Sequence, residues 1–147
     1  MAEPIIIYID KRDRKIIDEL KENGFLSLNN SSNNQIFLIA FSIGFRDNVQ
    51  IPLGSKESFT RVEYLSDSEK AIIYSCAIMH YNCTSILDDK AKLFEYAQET
   101  AHYGFGVLAN FISQGSLEMA QNDLISELLN KYDNIRDYAI ILDQPHW

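Results

Sequence analysis

The stretch "IIIYIDKRDRKIIDELKENG", Ile5 to Gly24, decides the fold class. Its first half is β-branched and aromatic, so Ile5–Ile9 reads as a short strand. Ile5, Ile7 and Ile9 fall on one face and leave only Ile6 and Tyr8 on the other, the pattern of a buried strand. Asp10 then offers a side-chain oxygen that can cap the first N–H groups of a helix. Beyond it the apolar residues switch to helical spacing, with Ile16, Ile17 and Leu20 on one side. Asn23-Gly24 closes that helix with residues that tolerate the left-handed conformation.

Downstream, "NNSSNN" is a polar loop in which Ser31 or Ser32 can cap the next helix. That helix, "NQIFLIAFSIG", is apolar almost all round and so is expected to be central and buried, with Gly44 as its stop. "RDNVQIPLGSKESFTRVEYL" is punctuated by Pro52 and Gly54 and ends in an alternating run, which predicts a loop with one or two short strands around residues 49–64. "SDSE" at 66–69 matches the Ser-x-x-Glu capping box and opens a helix to about Asn82. Thr84 or Ser85 opens another, in which Gly104 and Gly106 imply a kink or a close helix crossing. A last helix is expected from Leu117 to Tyr132, and the tail "IRDYAIILDQPHW" reads as either strand or helix. The expectation is a mainly α (α+β) fold: one compact helical domain with a short N-terminal strand.

The 147 residues, 46% apolar and 12% aromatic, suffice to bury a core without disulfides or metal. Two cysteines exclude a disulfide scaffold, and no basic segment leads into an apolar one at the N-terminus, so a cytoplasmic location is expected. No apolar run approaches the roughly 20 residues of a membrane span. The net charge of −8 is uneven: residues 1–61 balance eight basic against eight acidic residues, whereas 62–147 hold five against thirteen. Such an acidic surface repels the phosphate backbone, so DNA contact by the whole chain is disfavoured. It also permits a different role, an acidic DNA mimic that inhibits a nuclease.

Three constellations carry candidate chemistry. Cys76, His80 and Cys83 lie at i, i+4 and i+7, within about 60° of one another on a helix, and are natural zinc donors. They share a stripe with Ile72 and Ile73 and lack a fourth cysteine, so packing in the core is the preferred reading and no metal is assigned. Glu95, Glu99 and His102 repeat the same spacing but form only one Glu-x-x-His, where a di-iron bundle needs two. They read as a solvated face. Lys11, Arg12, Arg14 and Lys15 could reach phosphates, and strand, helix, turn, helix is the order of a ribbon-helix-helix protomer, which would make a small DNA-binding regulator. Against this, "IIIYI" lacks the outward polar side chains that such a ribbon uses to read bases. No nucleophile elbow, Walker loop or Gly-x-Gly-x-x-Gly occurs, so neither an enzymatic activity nor a cofactor is expected.

Four stretches, taken in order, resemble small proteins encoded beside bacterial DNA phosphorothioation (Dnd) systems. They are "IIYIDKRDRKIIDEL", "IFLIAFSIGFRDNVQIPLG", "AIIYSCAIMHYNCTSILDD" and "KLFEYAQETAHYGFGVLANFI", which together span Ile5 to Ile112. The second is similar to a helix that ends in Gly-Phe and runs into a Pro-Leu turn, the fourth to a Phe-Glu-x-Tyr-Ala helix followed by a glycine. "HYGFG" departs from the Asn-Gly-Gly-like break expected there. The resemblance implies a role in bacterial defence against foreign DNA, as an accessory to a larger restriction, nuclease or ATPase subunit. It implies no cofactor and no active residue, makes DNA contact indirect, and leaves the oligomeric state open.

Overall fold

A computed structural model describes residues 4–24 and 32–113, together with 122, 124–127 and 129–130. The chain divides into two compact units, Met1–Asn110 and Phe111–Trp147. Along the chain β1 (Ile6–Asp10) leads directly into α1 (Lys11–Glu22), followed by α2 (Asn33–Asp47), β2 (Lys56–Arg61), α3 (Asp67–Tyr81) and α4 (Lys90–Ser113), of which all but the last three residues of α4 belong to the first unit. Short 3₁₀ turns at Val62–Tyr64 and Thr84–Asp88 flank α3. The mainly helical architecture with a small sheet is the expected one. In the second unit the described helical residues expose Ile125 and Leu129 and bury Leu124. The expected tail after residue 130 lies outside the described residues.

Capping chemistry sets the helix ends. Asp10 accepts from the Arg12 N–H at 2.9 Å and starts α1. Ser32 with Gln35, and Ser66 with Glu69, form reciprocal capping boxes that start α2 and α3. Asn48 and Asn82 end the same two helices in the left-handed conformation, at φ 56° and 55°. Gly44 does not stop α2, as its position in the sequence suggests, but lies inside the helix and lets α4 approach. A Cβ there would overlap the Thr100 carbonyl, and one at Gly104 would overlap the Ala40 carbonyl. The two glycines therefore seat α2 and α4 backbone to backbone. Around that crossing Phe37, Phe41 and Phe105 are fully buried, and the Tyr96 ring meets Phe41 edge-on at 6.1 Å. Each phenyl ring removed from water contributes about 2–3 kcal/mol.

The strand pair is antiparallel, Ile7 opposite Thr60 and Tyr8 opposite Ser58, so that Phe59 bulges between them. Ile7 and Ile9 point into the core. The Tyr8 N–H, which β2 does not use, donates to Gln98 Oε1 at 2.9 Å, so α4 closes the outer edge of β1 at that point. The asparagines before the apolar run of α2 have structural work too. Asn33 donates to the Phe59 carbonyl and Asn34 to the Tyr64 carbonyl, tying β2 and the turn after it to the start of α2. Residues 84–88, expected to begin a continuous helix, form a 3₁₀ turn instead. The α-helix begins after Asp89, whose carboxylate accepts the Lys92 N–H at 3.1 Å.

Candidate functional site

The start of α1 and the middle of α4 meet at a buried polar cluster. Asp13 sits on the inner stripe of α1 with Ile16, Ile17 and Leu20, and its side chain is 0% exposed. A buried carboxylate needs a partner, and His102 of α4, 5% exposed, provides it. Its Nδ1 donates to Asp13 Oδ2 over 2.6 Å, a charge-assisted length. Behind the ring, Asp10 Oδ2 lies 3.8 Å from His102 Nε2 and accepts from the Gly54 N–H at 2.8 Å. Arg12 covers the pair from outside: its Nη2 is 3.5 and 3.4 Å from the two ring nitrogens, and its Nε faces Asp13 Oδ1 at 3.8 Å. Among the described residues Asp13 Oδ1 itself accepts no hydrogen bond.

The two aspartates, three residues apart, are driven in opposite directions. Burial pushes the Asp13 carboxyl up to about 6, against the pull of its hydrogen bond and charge contact with His102. Burial also acts on Asp10, but the backbone N–H groups of Arg12, Gly54 and Ser55, with the charge of His102, outweigh it and hold that carboxyl below its ordinary value. The cluster is thus a buried, hydrogen-bonded Asp–His pair roofed by an arginine. What it offers outward is a cation, Arg12, whose side chain is 61% exposed yet held in place.

The four basic residues singled out in α1 are split by the fold. Lys11 and Lys15 are exposed. Arg12 lies on His102, and Arg14 donates to Glu57 at 2.8 Å with its guanidinium 5.1 Å above the Phe59 ring. The Cys76, His80 and Cys83 stripe is not brought together. Asn82 turns the chain out of α3 before Cys83, which is exposed, while Cys76 is half-buried and His80 is exposed. Packing in the core, the reading preferred for these three, fails for His80 and Cys83. Among the described residues no group of three or more His, Cys, Asp or Glu is placed to hold a metal ion. His80 stacks on Tyr96 at 4.4 Å instead. Glu95 and Glu99 line a second cleft beside it, and His102 is turned away to Asp13.

No family model, curated protein or solved structure matches this chain. Its surfaces must speak for it.

The most unusual surface is α3. Ala71 to Tyr81 contains no Asp, Glu, Lys or Arg, yet the helix buries only Ile73 and Ala77. Ile72, expected to point inward, is 46% exposed, and Met79 one heptad later is 69% exposed. Ala71 and Ser75 lie exposed beside them. Among the described residues no helix is long and apolar enough to cross a membrane. Sequence reasoning missed the Asp13–His102 pair, whose members are 89 residues apart. Its signal was an acidic residue on the apolar stripe of α1 and a histidine among the buried positions of α4.

Proposed function

We propose that this protein is a non-enzymatic accessory subunit, working in the cytoplasm, that docks through α3 on a larger basic protein of a bacterial defence or DNA-modification system. One observation carries the reading: an uncharged eleven-residue run, Ala71–Tyr81, lies on a helix that leaves Ile72 and Met79 in solvent. Apolar surface that rests on nothing within its own unit marks an interface more often than an accident. The occupant is chosen by charge. Residues 62–147 hold thirteen acidic side chains against five basic ones, and this excess of acid favours a partner that presents lysine and arginine. Proteins that handle DNA carry such surfaces. The resemblance to Dnd-associated proteins supplies the biological setting.

A ribbon-helix-helix regulator fits less well, because β1 pairs with β2 of its own chain and its outer edge is bound by Gln98. The test is affinity purification of tagged protein from its native host with nuclease treatment, repeated with Met79→Asp and Ile72→Asp. A large basic subunit recovered with the wild type and lost with both variants, at unchanged melting temperature, supports docking through α3. Recovery of nucleic acid alone, abolished by nuclease, would overturn it.

A further inference from the structure

A groove of about 470 Å³ opens over the Arg12–His102 pair, within the range of small-molecule sites. Its walls are the first turns of α1, the loop at Ile51 and the last turns of α4. Among the described residues no acidic side chain lines it, although Asp13 and Asp10 lie against Arg12 and His102. Its lining includes the apolar side chains Ile16, Ile51, Val107 and Ala109, and Arg12 is its cation.

A second, independent observation concerns Gly106. Glycine in a helix interior carries a propensity cost relative to alanine, and usually a close contact explains it. For Gly104 that contact is the Ala40 carbonyl. At Gly106 a Cβ would meet no atom of the described residues within 4 Å. Yet Gly106 lines this groove. What the glycine leaves open is the groove floor, down to the helix backbone.

We propose that this groove binds a small organic anion, a carboxylate or phosphate carrying an apolar flank. The anion sits on the Arg12 guanidinium and the flank runs along Ile16, Ile51 and Val107 above Gly106. Arg12 suits the task because its inner contacts, to His102 and Asp13, use Nη2 and Nε, and among the described residues Nη1 makes none. A guanidinium already held in place loses less conformational freedom when it receives an anion.

The test uses the full chain, labelled with ¹⁵N, and three probes that share a six-carbon tail: hexanoate, hexyl phosphate and hexyltrimethylammonium. Each is titrated to about 20 mM, where even a fragment of millimolar affinity saturates. The expected result is saturable amide shifts at Arg12, Ile16, Ile51 and residues 102–110 with the two anions and none with the cation. The tighter of the two anions identifies the head group. Arg12→Gln should weaken binding about tenfold, as loss of a charge-assisted hydrogen bond does. Gly106→Leu should abolish it by filling the floor, without lowering the melting temperature, and this keeps the test open if loss of Arg12 unsettles the buried pair. Equal binding of the cation, shifts that ignore Gly106→Leu, or no saturation by any probe would overturn the proposal.

Discussion

α2 and α3 are built alike and used differently. Each has 15 residues, begins at a serine capping box and ends at a left-handed asparagine. Yet α2 buries Ile36, Phe37, Ala40, Phe41, Ile43 and Gly44, and α3 buries only Ile73 and Ala77. Local chemistry therefore specifies where a helix starts and stops. What it packs against is decided elsewhere, by the glycines that let α4 reach α2 and by the lack of any equivalent on α3. The apolar residues of α2 lie mostly in the core, whereas α3 leaves Ile72 and Met79 exposed.

That contrast can be broken or sharpened by substitution. Gly104→Ala should be the most damaging change, about 4 kcal/mol or more by denaturant titration, because the new methyl would overlap the Ala40 backbone carbonyl, which no rotamer change can clear. A loss below about 1 kcal/mol would mean that the α2–α4 crossing is not the rigid centre described above.

Asp13→Ala should cost about 3 kcal/mol by leaving His102 buried without its carboxylate. The same pair predicts a pH dependence. The Asp13 carboxyl is raised from 3.8 to about 6 in the folded protein, so the native state binds more protons than the unfolded chain between those values. Its contribution to stability is full below pH 3.8 and is lost as pH rises through 6, up to roughly 3 kcal/mol in all. Comparing wild type with Asp13→Asn from pH 4 to 7 should therefore show the wild-type advantage shrinking as pH increases. An advantage that grows would reverse the sign argued here.

Ser32→Ala and Ser66→Ala should each cost about 1 kcal/mol, since the two caps are alike in geometry. Met79→Asp completes the series. On an exposed face it should alter stability by no more than about 0.5 kcal/mol while abolishing partner recovery. A large loss of stability would show α3 to be part of the core after all.

Much of this arrangement was legible from residue order. The strand-to-helix junction at Asp10, the Ser66 box, the end near Asn82 and the close crossing at Gly104 all follow from rules that act within a few residues. Gly44 was misread because glycine serves two ends, stopping a helix or admitting a neighbour, and only the partner helix tells which. Ile72 was misread because α1 buries both of its adjacent isoleucines, Ile16 and Ile17, whereas α3 buries only Ile73, and composition does not tell the two cases apart. The cluster of Asp13 and His102 stayed hidden for a topological reason: β1 and α1 dock on the middle of a helix 90 residues later, and no local pattern encodes that meeting.

The hydrogen bond from the Tyr8 N–H to Gln98 bears on the order in which the chain acquires its shape during synthesis. Two features of the first 13 residues wait for α4: the outer edge of β1 at Tyr8 and the partner of Asp13. At usual translation rates of 5–20 residues per second, the 90 residues that separate Tyr8 from Gln98 take roughly 5–20 s to make. For that interval the Tyr8 N–H on the outer edge of β1 waits for its partner, although β2, which pairs the other edge, is made earlier. A nascent-chain chaperone, or a partner already waiting for the emerging chain, would act there first.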